Sequence, residues 1–345
     1  MTSPRSLPKK PGASFRPWIA PLLILGVAYG IIPFVGNSYL FEAILIPFLA
    51  LSLAAVGLNI LTGYAGQLSL GSAAFLAVGA FAAFNFNLRV PGLPLLVSIL
   101  LAGLSAAVIG VVSGLPSLRL KGFYLAISTL AAQFFVQWTL TKFGWFSNDG
   151  PSGVIDAPPL NLFGISFEGA VGRYRFALTF VVFFTLLAWK FVTTRTGHHL
   201  IAIRDHELAA KVIGVPVLRT KLLAFALSAF LIGIAGVIWA FAYLRTVESA
   251  GFNLDRSFQI VFIIIIGGLA TIRGAFFGAA LIVIFPLVLS RLGQLALGNI
   301  FDSGVLEMSQ LIVLGVLIIL FLILEPNGLA ALGDRLKRKL RPLLS

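Results

Sequence analysis

Residues 195–221, RTGHHLIAIRDHELAAKVIGVPVLRTK, form a short amphipathic segment between two long apolar runs. Within it, Asp205 is a favourable N-cap residue, Glu207 falls in the first turn, where the helix dipole favours negative charge, and Gly214 is a stop signal. The sequence therefore predicts a helix of about two to three turns over residues 206–213. A helix this short cannot cross a bilayer, so we expect it to lie on the membrane face, where a soluble partner can bind it.

The overall composition is that of a polytopic membrane protein. Hydrophobic residues make up 59% of the 345 positions and charged residues only 11%, with a mean hydropathy of +1.02, far more apolar than a soluble domain. The net charge of +13 is spread over loops and tails, which indicates membrane topology and argues against a nucleic-acid partner. The chain has no cysteine, which excludes disulfides, thiolate metal sites and a cysteine nucleophile.

Apolar segments of membrane-spanning length predict an all-α fold, a polytopic transmembrane helical bundle embedded in the lipid bilayer. About ten such segments cover residues 18–35, 40–61, 68–86, 93–114, 122–141, 174–193, 222–243, 258–272, 275–291 and 305–324. Two neighbouring pairs are separated by very few residues: the second and third segments, and the eighth and ninth. Each of these pairs fits either two crossings or one broken or re-entrant hairpin.

The distribution of Lys and Arg predicts the orientation. If the N-terminus is cytoplasmic and every segment crosses, most of the 25 Lys and Arg fall in inner loops and tails, so both termini are expected to be cytoplasmic. The chain then divides into a cytoplasmic tail (1–17), a transmembrane domain (18–325) and a basic cytoplasmic tail (326–345). Residues 194–221 form the cytoplasmic loop with the short helix. Residues 142–173 form a turn-rich outer loop, for which a partner contact and a passive connector fit equally.

Polar and glycine residues interrupt the apolar segments in two regions, 57–72 and 267–278, and polar residues also recur along the fifth segment. At membrane depth such residues are tolerated when they are buried in protein or face a watery cavity. They therefore fit a translocation pathway, and they fit equally well close helix packing or hydrogen bonds to a neighbouring helix. The candidate pathway residues are Asn59, Gln67, Ser69, Ser72, Thr129, Gln133, Gln137, Gly267 and Gly268.

Motifs for catalysis, metal binding and nucleotide binding are absent from the sequence. His206 and Glu207 begin an HExxH-like pattern, but alanine at position 210 replaces the second zinc ligand. There is no GxxxxGK[ST] motif, so ATP and Mg would be bound by a separate subunit. We therefore expect this chain to bind no cofactor or metal and to have no catalytic residues. Because charged residues fall near the predicted segment ends, ion-coupled transport is also disfavoured.

Several stretches together resemble one known family, the inner-membrane permeases of branched-chain amino acid ATP-binding-cassette (ABC) importers, of the LivM type. They are GLNILTGYAGQLSLGSAAFLAVGAF (57–81), LRLKGFYLAISTLA (118–131), the segment from residue 195, IIGGLATIRGAFFGAALI (265–282) and LEPNGLAALGDRLKR (324–338). The resemblance implies that the short helix engages an ATPase through an E-A-A…G pattern. The residues implied in this way are Glu207, Ala209, Ala210 and Gly214; Arg204, as a peripheral charge contact, and Asp205, as the predicted N-cap, complete the candidate coupling residues. Ser72 departs from the family, whose members commonly have histidine there.

The resemblance also implies the assembly and the function. It implies a second homologous permease, two cytoplasmic ABC ATPases and a periplasmic solute-binding protein, in the inner membrane of a bacterium. The expected function is that of a permease subunit for branched-chain amino acids or related small polar solutes, with the ATPase subunits supplying the energy. The alternative is a stand-alone channel or secondary transporter for a small solute such as urea or an amide, which would move its solute without an ATPase.

Overall fold

The computed structural model describes residues 19–120, 122–149, 153–162 and 164–297, together with 312–313, 315–316, 319–320, 323 and 328–331. The described chain is predominantly helical. Its α-helices are α1 (Ile19–Gly26), α2 (Ile32–Val35), α3 (Ile46–Asn59), α4 (Ser72–Arg89), α5 (Leu95–Gly114), α6 (Phe123–Lys142), α7 (Ala170–Val192), α8 (Arg195–Val212), α9 (Val217–Val237), α10 (Leu254–Gly267) and α11 (Ile272–Leu297). Four short strands, β1 (Ile155–Asp156), β2 (Asn161–Leu162), β3 (Ile165–Ser166) and β4 (Thr246–Val247), pair as β1 with β4 and β2 with β3.

Short π-helical segments continue several of these helices. They are Val27–Ile31, Leu40–Leu45, Ile60–Tyr64 and Ile238–Leu244. As a result α3 becomes part of a continuous 25-residue helix, Leu40–Tyr64, and α9 part of a 28-residue helix, Val217–Leu244. Within the described residues, seven helices are long and apolar enough to cross a membrane. The chain is therefore a multi-pass helical membrane protein.

The prediction of ten crossing segments is not confirmed. The first apolar segment is helical from Ile19 to Val35, a shorter run than any of the seven spanning helices. In the third, residues 66–71 are non-helical and the helix begins only at Ser72; two asparagines and an arginine near its end lower its mean hydropathy. The eighth and ninth segments are separate helices joined by a turn at 268–271. Of the tenth, only residues 312–313, 315–316, 319–320 and 323 are described, and neither predicted hairpin is shown to be re-entrant.

Two helices occupy the centre of the bundle. In their most apolar stretches, 83% of the positions of Leu40–Tyr64 and 72% of those of Val217–Leu244 are buried, against 28–44% in the other spanning helices. Glycines permit very close contact around α9. A Cβ at Gly79 of α4 would lie 2.1 Å from the carbonyl oxygen of Gly233, and a Cβ at Gly236 would lie 2.1 Å from that of Leu76. These two contacts bring the backbones of α4 and α9 together, as small residues do in membrane helix pairs.

The loop after α6 is tied to the end of the α9 helix. Strand β1 pairs antiparallel with β4, with Ile155 opposite Val247. Beside this pair, the buried Arg173 at the start of α7 forms an ion pair with Glu42. Its Nη1 also donates to the carbonyl oxygen of Ala242, at 3.2 Å. These contacts define one face of the bundle, opposite the face that carries α8.

Candidate functional site

Helix α8 is kinked at His206, whose backbone angles (φ −157°, ψ 90°) are not helical. The part after the kink, 207–212, corresponds to the predicted short helix. The part before it, 195–205, was not predicted to be helical. It begins directly after α7 because Gly197 has no side chain: a Cβ there would lie 2.0 Å from the carbonyl oxygen of Val192. Leu200 buries this part against the main core, and Ile203 packs in a separate small cluster with Ala210 and Val215.

The ends of the short helix differ in how well they were predicted. Asp205 does not cap it; its Oδ1 accepts from Nε and Nη2 of Arg204, each at 2.9 Å, and His206 interrupts the helix. Gly214 does end it, with φ +86°. The N–H of Gly214 donates to the carbonyl oxygen of Lys211 and that of Val215 to Ala210, a Schellman motif in which glycine readily adopts the left-handed conformation.

The short helix has a buried side and an exposed apolar side. Ala210 is buried and packs in a small cluster with Ile203 and Val215, so it does not face outward, whereas Ala209 is exposed. The exposed side carries three large apolar side chains. Leu208 is 72% exposed, Val212 86% and Ile213 75%. We call these three residues the apolar patch.

Glu207 is held by a lysine of the next helix. Lys221 Nζ lies 3.0 Å from Glu207 Oε1, and the Lys221 side chain is 2% exposed while that of Glu207 is 29% exposed. A buried ammonium requires such a partner, because an unpaired charge away from water is costly. The carboxylate therefore fixes the short helix onto α9. Sequence reasoning missed Lys221, since a lysine at the start of an apolar segment is an ordinary flanking residue.

A second set of contacts connects α8 to two other segments. Arg204 Nη1 donates to the carbonyl oxygen of Gly63, at 2.9 Å. Close by, Asn59 Nδ2 donates to the carbonyl oxygen of Thr271, at 2.8 Å, and Asn59 Oδ1 accepts from the N–H of Ala270, at 2.9 Å. Asn59 thus spans the turn between α10 and α11. We call these five residues the junction cluster.

Glycine is required at position 63 for this cluster to form. A Cβ on Gly63 would lie 2.0 Å from Asn59 Oδ1 and 2.4 Å from the nitrogen of Ala270. Gly66, with φ +67°, likewise lies against the side chain of Arg204. The candidate Gln67 is half-buried nearby, and its backbone carbonyl accepts from Thr62 Oγ1. Gly268 adopts φ +114° in the turn itself.

The start of α4 is capped by side chains of other helices. Thr129 Oγ1 accepts from the N–H of Leu70, at 2.9 Å, and Ser257 Oγ accepts from that of Ala73, at 2.8 Å. Gln133 Oε1 accepts from the N–H of Ala74, and Gln133 Nε2 donates to the carbonyl oxygen of Phe252, at 3.1 Å. These bonds satisfy N–H groups that a helix start leaves open. Thr129, Gln133 and Ser257 are fully buried and are called the helix-break cluster; Ser257 was missed from the sequence.

The remaining candidate pathway residues do not join one common site. Ser69 Oγ accepts from the N–H of Gly71, and Ser72 Oγ is buried without a hydrogen-bond partner among the described residues. Gln137 is half-buried. Gly267 packs against the backbone of Gly274. The structure thus places Asn59 in the junction cluster, and Thr129 and Gln133 in the helix-break cluster at the start of α4. In both clusters the side chains form hydrogen bonds to neighbouring segments.

Replacing Gln133 by leucine is expected to destabilise the protein by on the order of 2 kcal/mol or more, because it removes the side-chain partner of the Ala74 N–H and the Phe252 carbonyl in a buried place. The apparent melting temperature of the purified protein in detergent measures this. Gln137→Leu is the matched control, one turn along the same helix, where the side chain makes no hydrogen bond to a described residue, and it should melt like the wild type. Equal melting temperatures for the two variants would contradict the capping role of Gln133.

Across the described residues, no group of three or more His, Cys, Asp or Glu side chains is arranged to hold a metal ion. The ionisable groups near α8 are instead used in pairs, Arg204 with Asp205 and Lys221 with Glu207. The arrangement provides hydrogen bonds between helices and an exposed apolar surface. It is suited to transmitting a movement between segments.

Comparison with known proteins shows the family to which the chain is similar. A family model described as "Branched-chain amino acid transport system / permease component" matches residues 40–322. The chain is 28% identical over 335 residues to the high-affinity branched-chain amino acid transport system permease protein LivM of Escherichia coli (strain K12), which covers 90% of this chain and 74% of that protein. No solved structure was found to match significantly.

Other relatives have names that refer to different solutes. The chain is 28% identical over 262 residues to the autoinducer 2 import system permease protein LsrC of Enterobacter sp. (strain 638), covering 73% of this chain and 70% of that protein. It is 27% identical over 336 residues to the fructose import permease protein FruG of Bifidobacterium longum (strain NCC 2705), covering 91% of this chain and 90% of that protein. These relatives are transport permease subunits and not enzymes.

Proposed function

The chain belongs to the family of branched-chain amino acid transport system permease components, and from this premise we propose that it is the membrane-spanning subunit of an ABC importer whose energy comes from separate ATPase subunits. The observation that carries the proposal is α8. This helix is exposed and apolar on one side and joined on the other side to α9 and to the end of the Leu40–Tyr64 helix. It can receive a movement from outside the bundle and pass it to the central helices.

The apolar patch is the proposed contact with the ATPase. Three large apolar side chains on one short helix form an exposed surface of the kind that marks an interaction site. Glu207 is proposed to orient the short helix and not to contact the ATPase directly. Its carboxylate accepts from Lys221 inside the protein, so it orients the short helix, while the patch residues Leu208, Val212 and Ile213 meet the partner. Arg219 and Lys211, both exposed nearby, supply peripheral charge.

The transmission route follows the contacts of α8. A push on the short helix would act on α9 through the Glu207–Lys221 ion pair and on the Leu40–Tyr64 helix through the bond from Arg204 to Gly63. Asn59 extends that second connection to the turn between α10 and α11. Rearrangement of these helices between two packings would open the pathway to alternate sides. The helix-break cluster lies where α4, α6 and α10 meet, and the solute is proposed to pass beside it.

The remaining parts of the importer are proposed from the family. They are a second homologous permease, two cytoplasmic ABC ATPases that bind ATP and Mg, and a periplasmic solute-binding protein, in a bacterial inner membrane. The face with α8 is the proposed cytoplasmic face, and both chain termini are proposed to lie on that side. The described residue Gly328 agrees, because it lies against Gly268 in the turn next to the junction cluster. Branched-chain amino acids or related small polar solutes are the proposed cargo.

Reconstitution in lipid vesicles tests the function. The chain with its partner permease, ATPases and binding protein should accumulate labelled L-leucine or a related solute only when ATP is supplied on the α8 side. The same vesicles without the ATPases should show no accumulation. Uptake by the permease alone would instead support a channel or secondary transporter.

Introducing charge into the apolar patch is expected to separate the permease from its ATPase. Leu208→Asp combined with Val212→Asp should reduce co-purification of the ATPase at least about tenfold, since each change places a carboxylate in an apolar contact that excludes water. Val90→Asp is the control. Val90 is also an exposed apolar residue, but it directly follows the C-terminal end of α4 and is not part of the apolar patch. Undiminished co-purification of the patch variant would place the ATPase contact elsewhere.

A further inference from the structure

An arginine at the start of α10 lacks the partner that its position requires. The guanidinium of Arg256 stacks over the ring of Trp239, with Cζ 4.1 Å from the ring centroid. Its Nη1 donates to Oε1 of Gln259, a neutral acceptor. Among the described residues no carboxylate forms an ion pair with it. Asp255 beside it in sequence is exposed and accepts from Asn253 Nδ2, at 3.2 Å.

The donors that remain free define what would fit. Arg256 Nε is buried without a hydrogen-bond partner among the described residues, and so is Nε1 of Trp239, whose side chain is only 3% exposed. Since Gln259 occupies Nη1, the free edge of the guanidinium is the one formed by Nε and Nη2, the edge that binds a carboxylate with two parallel hydrogen bonds. The Trp239 indole can only donate. The free groups of Arg256 and Trp239 are therefore all hydrogen-bond donors that would bind an acceptor. Because the guanidinium is positively charged and has no ion-pair partner among the described residues, an anionic acceptor fits best.

The surroundings of this pair connect it to the proposed pathway. Trp239 lies in the π-helical segment Ile238–Leu244 and contacts the ring of Tyr243, with ring centroids 4.6 Å apart and the ring planes tilted by 56°. π-Helical turns inside longer helices are frequent at functional sites. Ser257, the residue after Arg256, belongs to the helix-break cluster at the start of α4. The arginine thus stands beside the break at which the proposed solute route passes.

We propose that Arg256 and Trp239 form a subsite for the carboxylate group of the transported solute. The proposal rests on the proposed function and narrows it to a cargo with a carboxylate, such as an amino acid or an organic acid. A neutral sugar, which the name of the FruG relative indicates for that protein, would leave the Arg256 charge unpaired. Both free donors are buried in this conformation, so the subsite is occupied when the surrounding helices rearrange during transport.

Binding is tested on the full-length chain with its partner permease in lipid nanodiscs, by tryptophan fluorescence with Trp239→Phe as the subtraction control. The probes are L-leucine, 4-methylpentanoate (the carboxylate without the amine), L-leucinol (the amine without the carboxylate) and L-arabinose. The two probes with a carboxylate should change the fluorescence of Trp239. L-leucinol and L-arabinose, which have no carboxylate, should not. Arg256→Gln should weaken binding of both carboxylates by about tenfold or more, the loss expected for a bidentate charged contact.

Arg89 provides the matched control. Its guanidinium stacks on Trp145 at 4.0 Å in the same manner, but its Nε and Nη2 donate to Asn85 Oδ1 and to the carbonyl oxygen of Trp145. Arg89→Gln should therefore leave carboxylate binding unchanged. Arg256→Lys keeps the positive charge but loses the pair of parallel donors, Nε and Nη2. It should weaken carboxylate binding less than Arg256→Gln, and it replaces that variant in the test if Arg256→Gln does not fold. If neither variant folds, the response of the wild type to the four probes decides.

Several outcomes would overturn the proposal. These are a response to L-leucinol or L-arabinose equal to that of L-leucine, no response to either carboxylate, or unchanged carboxylate binding in folded Arg256→Gln. Loss of the partner permease from Arg256→Gln without any effect of the probes would show that the arginine pairs with a carboxylate of that subunit. ATP-driven uptake is measured separately, on the wild-type chain reconstituted in lipid vesicles with its partner permease, ATPases and binding protein. Its failure would contradict the proposed function, while the probe titration would still report on the subsite.

Discussion

Glu207→Ala is expected to abolish ATP-driven uptake while the protein remains in the membrane. The change leaves the ammonium of Lys221, which is 2% exposed, without its carboxylate. Breaking a buried ion pair from one side costs about 3–5 kcal/mol, and the lower end applies because Glu207 is partly exposed. That energy is lost from the attachment of the short helix to α9, so the ATPase would push a helix that no longer moves its neighbour. Uptake per ATP hydrolysed, measured in reconstituted vesicles, should fall by at least about tenfold.

Two further variants distinguish a loss of attachment from a general loss of charge. In Glu207→Ala combined with Lys221→Met no buried charge is left unpaired, so this double variant should be more stable and couple better than Glu207→Ala alone. Asp205→Ala removes an exposed carboxylate that, among the residues the structure describes, pairs with its neighbour Arg204 alone, and surface pairs of this kind contribute little. A double variant as poor as Glu207→Ala, or an equally strong effect of Asp205→Ala, would contradict the role given to the ion pair.

The sequence predicted those features of α8 that depend on local chemistry. The stop at Gly214 follows from the freedom of glycine at positive φ, and the structure places a Schellman motif there. The start of the helix depended on tertiary packing. Residues 195–205 are helical because Leu200 is buried against the main core and Ile203 packs with Ala210 and Val215, and so Asp205 lies within the helix and is not its cap. Burial of Ala210 but not Ala209 likewise depends on the side from which α9 approaches.

The partners of the polar residues were beyond local reasoning. Thr129 and Gln133 share one face of α6, as their spacing predicted, and two interpretations were open. The structure shows them bonded to the start of α4, a contact between residues that are 59 positions apart. Lys221, Ser257 and Arg256 carried no sequence signal, because each is an ordinary residue near the start of a helix. What distinguishes them is burial and the identity of the group opposite, which arise only when α9 and α10 are packed.

Gly79→Ala is expected to prevent normal assembly of the bundle. The added Cβ would lie 2.1 Å from the carbonyl oxygen and 2.6 Å from the Cα of Gly233, and neither backbone atom can move aside as a side chain would. Helices α4 and α9 would have to separate, and the latter belongs to the buried centre. Overpacking of a core typically costs about 1–3 kcal/mol, and a clash with backbone belongs at the upper end. The amount of folded protein recovered from the membrane and its melting temperature in detergent should both fall sharply.

Gly30→Ala is the matched control for this prediction. Gly30 is also a helical glycine, in the segment Val27–Ile31, but a Cβ there would meet nothing within 4 Å. Alanine should be tolerated or slightly stabilising at that position, since it favours a helix over glycine by up to about 1 kcal/mol. The difference between the two variants therefore isolates the close approach of α4 to α9 from the general effect of replacing a helical glycine. Equal recovery of folded Gly79→Ala and Gly30→Ala would mean that the two backbones do not meet at Gly233, and the start of α4, with its capping side chains, would then have to be placed differently.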